Sequence, residues 1–168
     1  EFAHINHGSF HARGNERIQF PEGIPFHRLA SMDDAWPYKG KTDYLFPQSH
    51  GYQYKGYYLS PEKRPTFMYE YGTIKVEDFF KDQLDDNGKA FFTRTVTFST
   101  VAKQEPFFFR LGSGKEIKNI GKAWKVDRLS LSLHEDMKTL IREGDSKDLL
   151  LPVHLNKGKT IIKIDYKW

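Results

Sequence analysis

The strongest constraint on this chain is the strict alternation over residues 90–100. Phe92, Arg94, Val96 and Phe98 share one parity, and Phe91, Thr93, Thr95 and Thr97 share the other. Successive side chains of an extended strand point to opposite faces, so the segment has an apolar face, broken by Arg94, and a threonine-rich face. That pattern predicts a strand packed on a core with one side in water. It recurs along the chain, while helical periodicity is almost absent. Segments 51–59, 65–71 and 74–80 read as strands linked by turn residues at 60–64 and at Gly72-Thr73. Asp85-Asp86-Asn87-Gly88 forms a polar turn into 90–100.

The remaining segments read the same way. Residues 9–13 and 16–20 form a predicted hairpin across Gly14-Asn15, and Pro21-Glu22-Gly23 ends it. A short strand is expected within 24–29. Residues 30–50 form a long loop whose aromatics, Trp36, Tyr38, Tyr44 and Phe46, argue for packing. Phe107, Phe108 and Phe109 predict a strand buried on both faces. Gly112, Gly114 and Gly121 punctuate short strands around Ile117 and Trp124, and Leu129, Leu131 and Leu133 alternate with serines. Residues 136–142 fit a helical turn and a strand equally well. Residues 149–155 and 160–168 read as a closing hairpin over 156–159, with Ile162, Ile164, Tyr166 and Trp168 on one face. Links this short favour antiparallel neighbours, because a parallel crossover needs a dozen or more residues. The expected fold is therefore all-β: one antiparallel β-sandwich domain, jelly-roll-like. Residues 1–50 supply an N-terminal hairpin and long loop, and 51–168 the sandwich body.

Composition narrows the chemistry. The aromatic content of 15% favours strands. A chain of 168 residues can bury a core without staples. There is no cysteine, which excludes disulfides, thiolate metal sites, thiol nucleophiles and covalent c-type haem attachment within the chain. The net charge of +4 is spread along the sequence and lacks the concentrated basic stripe of nucleic-acid binders. No apolar run approaches the roughly 18 residues of a membrane-spanning helix. The abrupt ends at Glu1-Phe2 and Trp168 suggest a piece of a longer or processed chain.

Four groups of residues could carry chemistry. His4, His7 and His11 have a spacing that would align three imidazoles on a helix, but the segment leads into a hairpin and reads as a terminus. Residues 82–88 are oxygen-rich, yet lack the spacing and closing Glu of a calcium loop, so a solvated turn is expected. Glu70, Glu77 and Asp78 lie on neighbouring strands and leave a two-carboxylate glycan hydrolase open. The best binding candidate is aromatic: Trp36, Tyr38, Tyr44, Tyr52, Tyr54 and Trp124, with Asp33, Asp34, Gln48, His50 and Gln53 nearby in sequence. Such rings can stack on sugar faces while the polar groups fix hydroxyls. The same rings can equally fill the core and staple the long loop. No catalytic residue or metal ligand is assigned.

A set of strand and turn motifs supplies context. Gly56-Tyr57-Tyr58-Leu59, Arg64-Pro65-Thr66-Phe67-Met68-Tyr69 and Ile74-Lys75-Val76-Glu77-Asp78 are followed by Leu149-Leu150-Leu151-Pro152-Val153 and Tyr166-Lys167-Trp168. In these the chain resembles a β domain of large exported bacterial proteins. Those proteins combine a glucose/sorbosone-dehydrogenase-like propeller, c-type cytochrome modules and β-sandwich spacers. The resemblance implies a periplasmic or extracellular, non-catalytic structural or docking module of a cytochrome-linked oxidoreductase. It further implies neighbouring propeller or cytochrome domains as partners, and haem c in those domains with no cofactor in this chain. A carbohydrate-binding module is the alternative expectation, and a small glycan hydrolase the third.

Overall fold

The computed structural model describes Pro21 and residues 23–37, 43–144 and 146–168. The predicted 9–20 hairpin, the three N-terminal histidines and Tyr38 lie outside these residues. Twelve strands are described: β1 (Phe26–His27), β2 (Tyr52–Leu59), β3 (Pro65–Tyr71), β4 (Ile74–Leu84), β5 (Ala90–Thr100), β6 (Phe107–Gly114), β7 (Ile117–Asn119), β8 (Trp124–Val126), β9 (Leu129–Leu133), β10 (Leu140–Arg142), β11 (Lys147–Val153) and β12 (Gly158–Lys167). They form a four-stranded sheet, β1-β6-β11-β10, and an eight-stranded sheet, β2-β3-β4-β5-β12-β9-β8-β7. The described pairings are antiparallel, and the two sheets make the expected all-β sandwich.

The large sheet consists of two meanders, β2 to β5 and β7 to β9, and β12 joins them by lying between β5 and β9. β12 is therefore not the hairpin partner of β11. β11 pairs with β6 and β10 in the small sheet, and residues 154–157 carry the chain from one sheet to the other. Leu155 in this link is buried, and its carbonyl accepts the backbone N–H of Gln104. Residues 140–142 form an edge strand, so the helical alternative for that region does not hold. β4 runs on to Leu84, beyond the predicted end at Phe80, because its pairing with β5 continues to Ala90.

The alternation over 90–100 is realised as read. Arg94, Val96 and Phe98 are buried on the inner face, beside inward Tyr69, Tyr71, Ile74 and Val76 and inward Ile162, Ile164 and Tyr166. Phe26, contributed by a two-residue strand, sits at the centre. Its ring lies 5.2 Å from Phe98, 5.6 Å from Tyr69 and 5.6 Å from Phe109, measured between centroids. β1 falls within the short strand expected over 24–29 and, by pairing with β6, becomes part of a wall of the sandwich. Phe107 and Phe109 are buried on the inner face, while on the opposite face of the same strand Phe108 is half-buried and Arg110 buried.

Arg94 explains the break in the apolar face. Its guanidinium donates from Nε to Asp78 Oδ1 at 2.9 Å and from Nη2 to Asp78 Oδ2 at 2.5 Å, a two-point pairing. It also lies between two rings, 5.1 Å from the centroid of Phe80 and 5.1 Å from that of Phe109. Phe80 belongs to the large sheet and Phe109 to the small one, so the cation bridges both layers. Burial alone would lower the guanidinium's pKa, but the charge and hydrogen bonds of Asp78 outweigh it and raise the value. A buried pair of this kind adds little over a hydrophobic replacement, yet its disruption leaves a bare charge in the core. Asp78→Ala is therefore expected to lower unfolding stability by about 3–5 kcal/mol, and the joint change Asp78→Leu with Arg94→Met to restore most of that. Urea titration of both variants measures this; a single-mutant loss under about 1 kcal/mol would mean that Arg94 finds other partners.

Candidate functional site

The aromatic residues singled out in the sequence are not brought together on one surface. Trp36 is 1% exposed and Tyr52 is 1% exposed, so neither ring can stack on a ligand in solution. Trp36 instead straps the long loop to the outer side of the small sheet. Its indole N–H donates to the carbonyl of Ile24 at 2.9 Å, and Arg110 lies 4.9 Å over its ring. Arg110 is buried on that side with Asp148, at 3.7 Å, and Arg142 donates to the other oxygen of Asp148 at 3.1 Å and 2.5 Å. Arg142 also donates to the carbonyl of Asp34 at 2.7 Å, which ties the loop to the edge strand β10.

Asp33 and Asp34 shape the loop itself. Asp34 Oδ2 accepts the backbone N–H groups of Ala30 and Ser31, both at 2.9 Å, which closes the turn that precedes it. His50 belongs to the next turn, where its ring lies 5.9 Å from His27 and 5.7 Å from Phe46. Tyr44 is 88% exposed and Tyr54 is 38% exposed. Trp124, half-buried on β8, is six strand spacings from Tyr54 on β2, on the order of 29 Å along the sheet.

The candidate carboxylates also diverge. Asp78 points into the core against Arg94, whereas Glu70 and Glu77 have the opposite facing, and Glu70 accepts Lys55 Nζ at 3.0 Å. Asp78 therefore cannot flank a glycosidic bond together with either glutamate, and of the two glutamates that share the outer face Glu70 is engaged by Lys55. In the 82–88 turn, Asp85 Oδ1 accepts the N–H groups of Asn87 at 3.0 Å and Lys89 at 2.9 Å, and these bonds lower its pKa. Among the described residues no group of three or more His, Asp or Glu side chains could hold a metal ion. On the outer face of the large sheet, Asp165 Oδ1 accepts both His134 Nε2 at 2.9 Å and the Thr93 hydroxyl at 2.6 Å. Because the carboxylate stands between them, the imidazole is not placed to take the hydroxyl proton. This is a hydrogen-bonded chain and not a nucleophile–base pair.

An open aromatic corner on the inner face of the large sheet emerges instead. A bulge in β2 creates it: Tyr54 pairs with Tyr69 and Gly56 with Met68, leaving Lys55 as the extra residue. Gly56 has φ +101°, a conformation that favours glycine. The bulge resets the alternation, so Tyr52 and Tyr54 face inward before it and Tyr57 and Leu59 after it. Tyr57 then meets Phe67, with ring centroids 6.1 Å apart. Phe80, Phe92 and Trp168 continue the inner face, half-buried, and Phe92 stacks on Trp168 at 5.6 Å. Tyr57 is 57% exposed, Leu59 53% and Leu84 69%. Arg64 and Asp82 pair at 2.7 Å beside it. The small sheet covers Arg94 through Phe109 and reaches Tyr166, whose hydroxyl lies 3.4 Å from the Leu111 carbonyl. The rings beyond are covered only in part.

No protein-family model matches the chain, and no curated protein or solved structure matches it.

Two outcomes follow for the strap. Trp36→Ala should cost about 3–5 kcal/mol in denaturant unfolding, since it removes a fully buried ring; a loss under about 1 kcal/mol would show that the loop is not fastened there. The second concerns His27. Burial, then the nearby His50 and Arg28, lower its pKa from 6.5, against an opposing pull from Asp34. The neutral ring is therefore favoured by folding, and its contribution is intact above the unfolded value and lost as pH falls through the folded one. The urea midpoint should drop on going from neutral pH to below that range, and His27→Gln should flatten the drop; an unchanged pH profile in the variant would rule His27 out as its source.

Proposed function

We propose that this chain is a non-catalytic docking module of an exported, cytochrome-linked multidomain protein, and that the open inner-face corner is where a neighbouring domain packs. The observation that carries the reading is the composition of that corner. Tyr57, Leu59, Phe67, Phe80, Leu84, Phe92 and Trp168 offer a mainly apolar surface, exposed at its rim and half-buried at its base. Contiguous exposed apolar surface rimmed by polar groups is a mark of protein contact. The Arg64–Asp82 pair supplies such a rim. The residues that carry the resemblance to spacer domains of such proteins include Tyr57, Leu59, Phe67 and Trp168, so motif and corner coincide.

Protein packing fits this corner better than sugar binding does. Sugar recognition needs flat, accessible rings with several polar side chains converging on the same spot, whereas the inner rings here are mostly phenylalanine. The carbohydrate-binding alternative draws on Tyr54, Tyr57 and Tyr58 along β2, which are 38%, 57% and 47% exposed. Haem c and redox chemistry, in this reading, belong to the neighbouring domains.

The test is the chain alone and within its full-length polypeptide, each probed with an apolar-surface dye. The isolated chain should bind dye, Tyr57→Glu with Leu59→Glu should abolish most of that binding, and the full-length protein should show little at this corner. Dye binding at the corner that is equally strong in the full-length protein would reject domain packing. Glycan binding lost with Tyr57→Ala would transfer the surface to the carbohydrate reading.

A further inference from the structure

The outer face of the large sheet, opposite the corner just described, has a different character. Strand alternation places Lys75 and Lys81 of β4, Lys159, Lys163 and Lys167 of β12 and Lys125 of β8 on it, all exposed. The register fixes their layout. Lys75 and Lys159 flank Ser99 in one row, Lys163 lies beside Thr95 in a second, Lys81 beside Thr93 in a third, and Lys167 and Lys125 flank Ser130 in a fourth. Between them run the short side chains of Thr93, Thr95, Thr97 and Ser99. With strands about 4.8 Å apart and residues about 3.4 Å apart along a strand, the lysines frame an area of roughly 19 Å by 27 Å.

The acidic groups on this face are already engaged or few. Glu70 is held by Lys55 at 3.0 Å, and Asp165 accepts His134 and Thr93. Glu77 is half-buried beside Thr97. Among the described residues none of the six lysines makes an ion pair. Lys167 instead lies 4.9 Å over the Phe91 ring.

We propose that this face docks on an anionic lipid bilayer. Three features favour a surface over an anionic chain. The lysines are spread in two dimensions, so a linear polymer would meet one row while a bilayer meets all of them. The basic groups of these strands are lysine without arginine, and lysine suits diffuse attraction to headgroups, whereas arginine suits two-point reading of individual phosphates. Single-stranded nucleic acid would also call for exposed rings among the lysines to stack bases, but Phe79 and Phe91 there are half-buried, and the exposed ring of this face, Tyr58, stands apart on the edge strand β2. Ile161, 49% exposed between Lys159 and Lys163, supplies an apolar contact for the headgroup region. Peripheral docking of this kind needs no membrane-spanning segment.

The experiment is cosedimentation of the folded chain with phosphatidylcholine vesicles, with and without phosphatidylglycerol. Binding is expected only with phosphatidylglycerol, weakening as salt rises. Each lysine near an anionic surface is worth about fivefold, so the triple change Lys75→Glu, Lys163→Glu and Lys167→Glu should weaken binding by at least about a hundredfold. A control triple outside the strands of the face, Lys103→Glu, Lys115→Glu and Lys138→Glu, should bind nearly as the parent does. If the first triple fails to fold by circular dichroism, the corresponding Lys→Gln triple replaces it, with a smaller but still selective loss. The proposal is overturned if the vesicles do not bind, or if both triples weaken binding equally. It is also overturned if soluble heparin or duplex DNA binds through these lysines while vesicles do not.

Discussion

The sandwich is organised around a charge that it cannot expose. Arg94 enters the core because its position on β5 has the same facing as Val96 and Phe98, and the strand cannot turn one residue outward without turning all of them. The cost of burying a guanidinium is offset by Asp78, placed diagonally on β4, and by Phe80 and Phe109 on either side. Phe109 comes from the opposite sheet, so the pair helps to fix how the two layers sit. The phenols of Tyr69 and Tyr166 complete its surroundings, and burial pushes both of their pKa values up. An apolar core tolerates small shifts between layers, whereas a two-point ion pair flanked by rings specifies one arrangement.

A second buried charge group does for the loop what the first does for the layers. Arg110, Asp148 and Arg142 lie on the outer side of the small sheet, and Trp36 closes over Arg110. Two edges of the fold, the N-terminal loop and β10, are held by this one group through the Asp34 carbonyl. The small sheet is thereby covered on both sides, which its short edge strands require. The large sheet is covered on one side, and there incompletely. The two proposed surfaces are its two uncovered regions: an aromatic corner inside, suited to protein packing, and a lysine-framed face outside, suited to diffuse negative charge.

The strands were legible because their signal is local. The period-two pattern of residues 90–100 reports a facing that any half-buried strand must have, and it placed β5 with its observed bounds. The closing hairpin was misread for the same reason. A short polar link such as 154–157 can join two paired strands or lead the chain from one sheet to the other, and nothing within the link distinguishes these except its buried Leu155. The aromatic site was less legible still. Trp36 and Tyr54 sit in equally aromatic stretches, yet one is buried where it fastens the loop to the small sheet and the other is partly exposed on the edge strand β2. The corner at Tyr57 did have a local signal, Gly56 inside a strand, which marks a bulge and a change of facing.

The sequence by itself determined the class of structure, the positions of most strands and the face on which each side chain of a regular strand lies, because these follow from backbone geometry repeated every two residues. Tertiary structure decided which strands share a sheet, that Arg94 meets Asp78, that Glu70 and Glu77 point away from Asp78, and which aromatics are covered. Those outcomes depend on contacts between residues far apart in the chain, such as Phe26 with Phe98 or Trp36 with Arg110, and no local pattern encodes the partner.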